Sequence, residues 1–352
     1  VFIMNIIKLF SFFIIALILG GTAAHAQDIT INPETAFILN TFMFLICGAF
    51  VMWMAAGFAM LEAGLVRAQN TAAICLKNIA LYSIAGIMYY LIGYNLMYVD
   101  VSGYICTFGV FYDPSASEAA LMAAEGADEA AAAANVTRES EYSVMSDWFF
   151  QMVFVATAAS IVSGTVAERM KLWPFLLFVV VLTGIIYPIQ GAWTWGGGWL
   201  TERGFSDFAG STIVHSVGGW AALMGAIILG PRNGKYDGEG RVRPMPGSNL
   251  PLATLGTFIL WLGWFGFNGG SVLALGSAKA ATSMSLVFVN TNMAAASGAI
   301  AAMAYASLRF GKPDLTLVLN GALAGLVAIT AGPDVASPAT CLLIGAIGVG
   351  LC

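Results

Sequence analysis

Asp207-Phe-Ala-Gly-Ser-Thr-Ile-Val-His215-Ser-Val-Gly-Gly-Trp220, continued by an uncharged apolar run from Ala221 to Leu229, decides how this chain is read. An acidic residue opens the stretch, small residues follow, and a histidine sits at the mouth of the run. A run of this kind crosses a bilayer, which places His215 as an ionisable group on a membrane-buried helix. Such groups are costly there and mark functional sites by default.

The rest of the chain agrees with a membrane setting. Of its 352 residues 59% are hydrophobic and 9% charged, with mean hydropathy +0.84. A soluble domain carries roughly 25% charged residues, so this chain cannot clothe a surface facing water. Its apolar runs suit helices crossing a core of about 30 Å, not the strands of roughly 10 residues found in a barrel. The expected class is therefore an all-α polytopic membrane protein. The 40 glycines fit close helix packing, because lipid supplies no hydrophobic drive between helices. With a net charge of −5 there is no basic footprint for nucleic acid.

Cys47, Cys75, Cys106, Cys341 and Cys352 form no CxxC pair. Neither a metal site nor a disulfide framework is expected. Most fall in apolar runs as packing residues, and only Cys106 is placed in an aqueous loop. No phosphate-binding loop, dinucleotide fingerprint or nucleophile–base pair is present, so the expectation is a non-enzyme without cofactor.

Taken in order, the chain starts with a secretory signal peptide at 4–26: Lys8 in the basic region, Leu9 to Leu19 apolar, then Ala24-His25-Ala26 as cleavage site. A retained first helix is the alternative. The mature segment 27–352 then begins outside an inner (plasma) membrane. Spans are expected at 36–61, 74–98, 148–167, 173–189, 211–229, 252–268, 281–308, 315–330 and 339–351. Inner loops then carry Arg67, Lys77, Arg169, Lys171, Arg232, Lys235, Arg241, Arg243, Arg309 and Lys312. Outer segments carry Arg138, Arg203 and Lys279. That asymmetry follows the positive-inside rule. Residues 100–147 read as an acidic external loop, a solvated and partly helical spacer rather than a cation trap. The last span ends with the sequence, so a carboxy-truncated chain is expected.

Trp53-Met-Ala-Ala-Gly-Phe58-Ala-Met-Leu-Glu-Ala-Gly echoes Trp261-Leu-Gly-Trp-Phe-Gly-Phe267-Asn-Gly-Gly-Ser271. One lies in span one and the other in span six, which run in opposite directions, as in transporters built from inverted repeats.

Among polar residues, His215 reads either as locally hydrogen-bonded or as pore-lining. An apolar surround favours the neutral imidazole, which offers one donor and one acceptor nitrogen. Asp207 reads as a helix cap that also favours a cation nearby. The aromatics Trp148, Phe149, Phe150, Phe154, Trp193, Trp195, Trp199, Trp264, Phe265 and Phe267 fall near outer ends. They read as an interfacial belt or, at Trp195 and at Phe267-Asn268-Gly-Gly-Ser271, as a cation–π site.

The stretch Asp207 to Leu223 with Gly230-Pro-Arg232 resembles the signature of the ammonium transporter (Amt/Mep/Rh) family. So do Gly57-Phe-Ala-Met-Leu-Glu-Ala-Gly-Leu-Val-Arg67, Gly164-Thr-Val-Ala-Glu-Arg169, Gly263-Trp-Phe-Gly-Phe-Asn268 and Phe288-Val-Asn-Thr-Asn292. The likeness runs from about Phe37 to the end and favours a bacterial type of the Amt branch. It implies homotrimers of eleven-helix protomers with inverted five-helix repeats, of which about nine helices lie in this chain. It also implies a pore in each protomer.

By resemblance Phe154 and Phe267 match a stacked gate. Trp195 and Ser271 match the external ammonium site, with Phe154 beside it and Asp207 supporting it. His215 matches the first of two pore histidines, the second lying beyond residue 352, and with Asp207 it would serve a proton relay. Gln151, Asn268 and Trp264 look like supports of the gate. The implied function is recruitment of ammonium, its deprotonation, and conduction of ammonia with separate proton transfer. The implied partners are ammonium or methylammonium, membrane lipid, and a PII-type nitrogen regulator at the cytoplasmic face. The rival readings are an ammonium sensor or receptor module and a pore for methylated amines or a neutral gas.

Overall fold

The structure, a computed structural model, describes residues 31–350. The expected signal peptide at 4–26 and the chain end at 351–352 lie outside the described residues. Every regular element described is helical, apart from two isolated bridges, Ser102 with Ile105 and Tyr236 with Val242.

Seven helices are long and apolar enough to cross a membrane: Pro33–Leu65, Ala68–Tyr98, Val144–Val166, Leu172–Ala192, Ser211–Leu229, Leu250–Gly270 and Ala278–Phe310. Two shorter apolar helices follow, Leu315–Ile329 and Pro338–Gly350. These are spans one to nine, each matching an expected run. The starts of spans six, seven and eight lie where side chains cap free N–H groups. Asn249 accepts from Leu252 N at 2.9 Å, Ser277 from Ala280 N at 3.1 Å and Asp314 from Leu317 N at 3.0 Å.

Spans one and six, the two carrying the echoed motifs, lie against each other antiparallel. Asn40 Oδ1 near the start of span one accepts Leu275 N and Gly276 N just past span six, at 2.7 and 2.9 Å. At the opposite end Asn249 N donates to Gly64 O at 3.1 Å. Between them the backbones touch at Gly57 and Gly256. A Cβ on Gly57 would sit 3.0 Å from Gly256 O, and one on Gly256 would sit 2.7 Å from Gly57 O. Only glycine permits that approach, and it is what joins the two spans without a hydrophobic drive.

One end of the bundle is fastened by Glu168. Its buried carboxylate accepts from Arg67 N and Nε at 3.0 Å, from Asn70 Nδ2 at 2.5 Å and from Arg232 Nη1 at 3.2 Å. Burial pushes this carboxyl up, but the bonds from Asn70 and Arg67 and the charge of Arg232 hold it below the usual range. Three sequence motifs, ending in Arg67, Glu168–Arg169 and Arg232, are thus one physical joint, to which Arg169 adds a bond to Gly230 O at 2.8 Å. We call this the basic end.

Four expectations are corrected. Lys77 is not a loop cation: it is buried within span two, 3.5 Å from Glu62 Oε2. Nine inner-loop cations remain, and the asymmetry stands. The acidic segment is partly helical as expected, with helices Ala116–Ala123 and Ala127–Glu139, but it is not wholly solvated: buried Glu118 caps span three by accepting Val144 N at 2.8 Å. Span three begins four residues earlier than Trp148, which carries Asp147 into its first turn. Cys106, although in a loop, is buried.

Candidate functional site

Asp207 builds the site. Its Oδ1 accepts Gly210 N and Ser211 N at 3.1 and 3.0 Å, and its Oδ2 accepts Thr212 N and Ile213 N at 2.7 and 2.9 Å. Four orphan N–H groups at the start of span five are satisfied by one buried carboxylate. Burial pushes this carboxyl above its ordinary range, and the four N–H bonds pull it back. The expected cap is therefore present, and it occupies the carboxylate fully. Any pull on a cation is exerted as a field rather than by contact.

Capping sets the next turn. Gly210 has φ +102°, and a Cβ there would meet Val214 Cγ2 at 2.6 Å. Its carbonyl accepts Val214 N at 2.9 Å, His215 N at 3.0 Å and, at 3.0 Å, the bond to His215 Nδ1. The bond closing five residues on is a π-turn, a device common at functional sites. A carbonyl can only accept, so Nδ1 carries the hydrogen and Nε2 is left with a lone pair. Nε2 is buried and has no hydrogen-bond partner among the described residues.

Above and beside His215 the rings form a column. Phe154 from span three and Phe267 from span six stack with centroids 4.0 Å apart and planes at 27°. Phe267 meets the His215 ring edge-on at 5.3 Å, and Trp264 stacks on His215 at 4.9 Å and 23°. Trp264 Nε1 donates to Thr330 Oγ1 at 2.8 Å. Trp264 and Phe154 are thus interior residues, which corrects the belt reading for both, and Phe267, read as part of a cation–π stretch, is interior as well: each is at most 2% exposed. Their rings face protein because spans three, five and six converge here.

On one side of the stacked phenylalanines is a cleft of about 520 Å³, lined by Phe154, Trp195, Asp207, Ser271, Gln151 and Asp147 among others. It brings together five of the residues singled out in the sequence. Trp195 stands edge-on to Phe154 at 5.9 Å and is held by Nε1 donating to Asp207 O at 2.9 Å. Ser271 Oγ donates to Phe267 O at 2.8 Å, which leaves its lone pairs for a donor in the cleft. Gln151 Nε2 donates to Asp147 Oδ1 at 3.3 Å. Asn268 is not among the cleft residues: it is fully buried and donates to Thr291 Oγ1 at 2.9 Å, bracing span six against span seven.

On the other side is a cavity of about 400 Å³, lined by His215, Trp264, Ser160, Glu62, Arg232 and Asn320 among others. The stacked pair separates cleft from cavity, and His215 lies just behind it.

Two carboxylates of these chambers escaped the sequence reading. Asp147 lines the cleft, buried, accepting the Tyr94 hydroxyl at 2.5 Å, with no cation among its partners. It stood at the end of an acidic stretch and read as part of it. Glu62 lines the cavity and lay inside a family motif without drawing notice. A carboxylate within an apolar run was the signal available for Glu62.

The ammonium transporter family model matches residues 42–352. The chain belongs to the ammonium transporter family. Ammonium transporter Amt2 of Archaeoglobus fulgidus is 43% identical over 349 residues, covering 95% of this chain and 68% of that one. A solved structure described as a Sensor Amt Protein superposes with TM-score 0.79 at 36% identity, over 91% of this chain and 75% of the other. Mep2 of Saccharomyces cerevisiae gives TM-score 0.73 at 25% identity, over 92% and 70%. The family is one of multi-pass membrane transporters, and the helical bundle with its cleft, stacked ring pair and buried histidine is this family member's version of the fold.

Proposed function

We propose that the protein recruits ammonium in the cleft, removes a proton there or at the gate, and passes ammonia by His215 into the cavity. The observation that carries this is the sequence of chambers: a cleft with an uncompensated carboxylate, a sealed aromatic pair, then a histidine with a free acceptor nitrogen.

A cation enters the cleft because Asp147 and Asp207 supply negative field and Trp195 and Phe154 supply ring faces. Such rings hold a cation with about 0.5–2 kcal/mol or more once water is removed. An ion carried into the apolar interior would lose far more hydration energy than that. Ammonium escapes the penalty by giving up its proton, whereas potassium cannot. Ser271 Oγ and His215 Nε2 accept hydrogen bonds from N–H groups, which potassium does not offer. The carboxylates favour this reading over a pore for a neutral gas.

The apolar residues that face outward, such as Ile79, Trp173, Leu177 and Ile228, suit lipid or neighbouring subunits of a homotrimer. The basic end is the cytoplasmic side. A sensor role is the second reading, favoured by the likeness to a structure named as a sensor.

Reconstitution of the intact protein in planar bilayers tests the proposal. Ammonium is expected to evoke a saturable current where equal potassium evokes none. No ammonium current and no ammonia flux would leave the sensor reading standing.

A further inference from the structure

The cavity behind the gate contains a second unpaired acceptor. Glu62, on span one and 5% exposed, has a structured Oε2: Ser163 Oγ donates to it at 2.7 Å and Lys77 Nζ lies 3.5 Å away. Its Oε1 is buried with no hydrogen bond among the described residues, the neighbouring Asn78 amide donating to Ile74 O at 3.0 Å, and Glu62 lines the same cavity as His215, whose Nε2 is likewise without a partner among them. Two such buried acceptors on one cavity call for a small occupant rich in N–H or O–H bonds.

Building on the transport reading above, we propose that Glu62 is the proton-accepting group of this inner cavity, receiving through Oε1 the proton that ammonium gives up at the gate. The exchange balances as ammonium plus carboxylate giving ammonia plus carboxylic acid, the proton passing through His215 Nε2 and water. The acid then releases its proton to water on the side of the basic end, regenerating the carboxylate, while Arg232, which borders the cavity there, stays protonated.

The surrounding residues fit a group that changes charge. When Glu62 is neutral, Lys77 keeps two other partners, the Ser163 carbonyl at 2.7 Å and the face of Phe175 at 5.1 Å. When Glu62 is charged, Lys77 and the Ser163 hydroxyl balance it. A buried pair serving stability alone would be poorly chosen, since well-packed apolar residues commonly do as well. Nor would such a pair need an oxygen left open to a cavity.

The test uses the intact protein in proteoliposomes, with ammonium as substrate and water-only buffer as the control occupant. Two quantities are read together: charge moved and ammonia delivered. Glu62→Gln keeps size and hydrogen bonding but cannot take the proton. It is expected to lower the ratio of charge to ammonia by about tenfold or more, as for a lost proton-transfer group, with partial recovery in Glu62→Asp. Infrared difference spectra of the unaltered protein, with ammonium minus without, are expected to show the carbonyl band of a buried protonated carboxylic acid. That band should shift in Glu62→Asp and be absent in buffer alone. An unchanged ratio in Glu62→Gln, or no such band in the unaltered protein, overturns the proposal. Absence of all ammonium transport by the unaltered protein would instead overturn the transport reading.

Discussion

The ring of Phe267 lies flat against Phe154 at 4.0 Å and presents itself edge-on to His215 at 5.3 Å. On the proposed transport reading, Phe267 closes the passage and walls the histidine site, and a swing of this one ring would part the stack and uncover Nε2 together.

Phe267→Ala is expected to remove both functions. Loss of a fully buried phenylalanine should cost about 3–5 kcal/mol of stability, read as a lower unfolding midpoint in detergent. Variants that still fold should leak ions that the unaltered protein excludes, measured as potassium current.

His215→Ala leaves Gly210 O without its side-chain donor and removes the acceptor at Nε2. Ammonium-evoked current is expected to fall by about 100-fold, the order of a lost acid–base group. Unchanged current with unchanged potassium exclusion would rule out a relay role for His215.

Asp147→Asn keeps the size of the side chain but removes its charge from the cleft, and its one amide oxygen can accept from Tyr94 or Gln151 but not from both. The concentration of ammonium giving half-maximal current should rise about tenfold, the effect of roughly 1.4 kcal/mol, while the maximal current changes little. Tyr94→Phe, which keeps the charge, should give the smaller shift.

Gly210→Ala places a methyl group against Val214 at a φ of +102°. Strain of about 1–3 kcal/mol is expected from the backbone alone, and the π-turn that orients His215 should relax. Reduced current with the protein still folded, checked by size-exclusion profile, is the expected result.

Glu168 gives a signed dependence on pH. Despite burial, its folded carboxyl is held below the usual glutamate value of about 4.5 by the bonds from Asn70 and Arg67 and the charge of Arg232. The stability it contributes is complete above that value and is lost as pH falls through the lower, folded one. Unfolding midpoints measured from pH 6 down to about pH 3 should therefore decline, and Glu168→Gln should be less stable at pH 6 and show a flatter decline.

Much of the architecture was legible from composition and motif. All nine apolar runs became helices because a backbone in lipid must satisfy its own hydrogen bonds, which leaves a long apolar segment one choice. The Asp207 cap was legible for a similar local reason, since an acidic residue before small residues and an apolar run has N–H groups within reach. Boundaries moved where a cap lay outside the run, as at Val144, whose N–H is taken by Glu118 from the separate helix Ala116–Ala123.

Side-chain placement was less legible. Lys77 and Glu62 are 15 residues apart in the sequence, on different helices, and nothing local announces that one neutralises the other. Trp264 and Phe267 carry the composition of a membrane belt, and only the crossing of spans three, five and six puts them inside.

The sequence by itself determined a helical membrane bundle of the ammonium transporter family with a capped histidine at the start of span five. Those are properties of hydropathy, local capping and motif order, all written along the chain. Only the tertiary structure decided that Phe154, Phe267 and His215 form one column, that Asp147 faces the cleft, and that Glu62 shares a cavity with His215. Such placements depend on which faces of distant helices meet, and the small residues at Gly57 and Gly256 set that by letting two backbones touch.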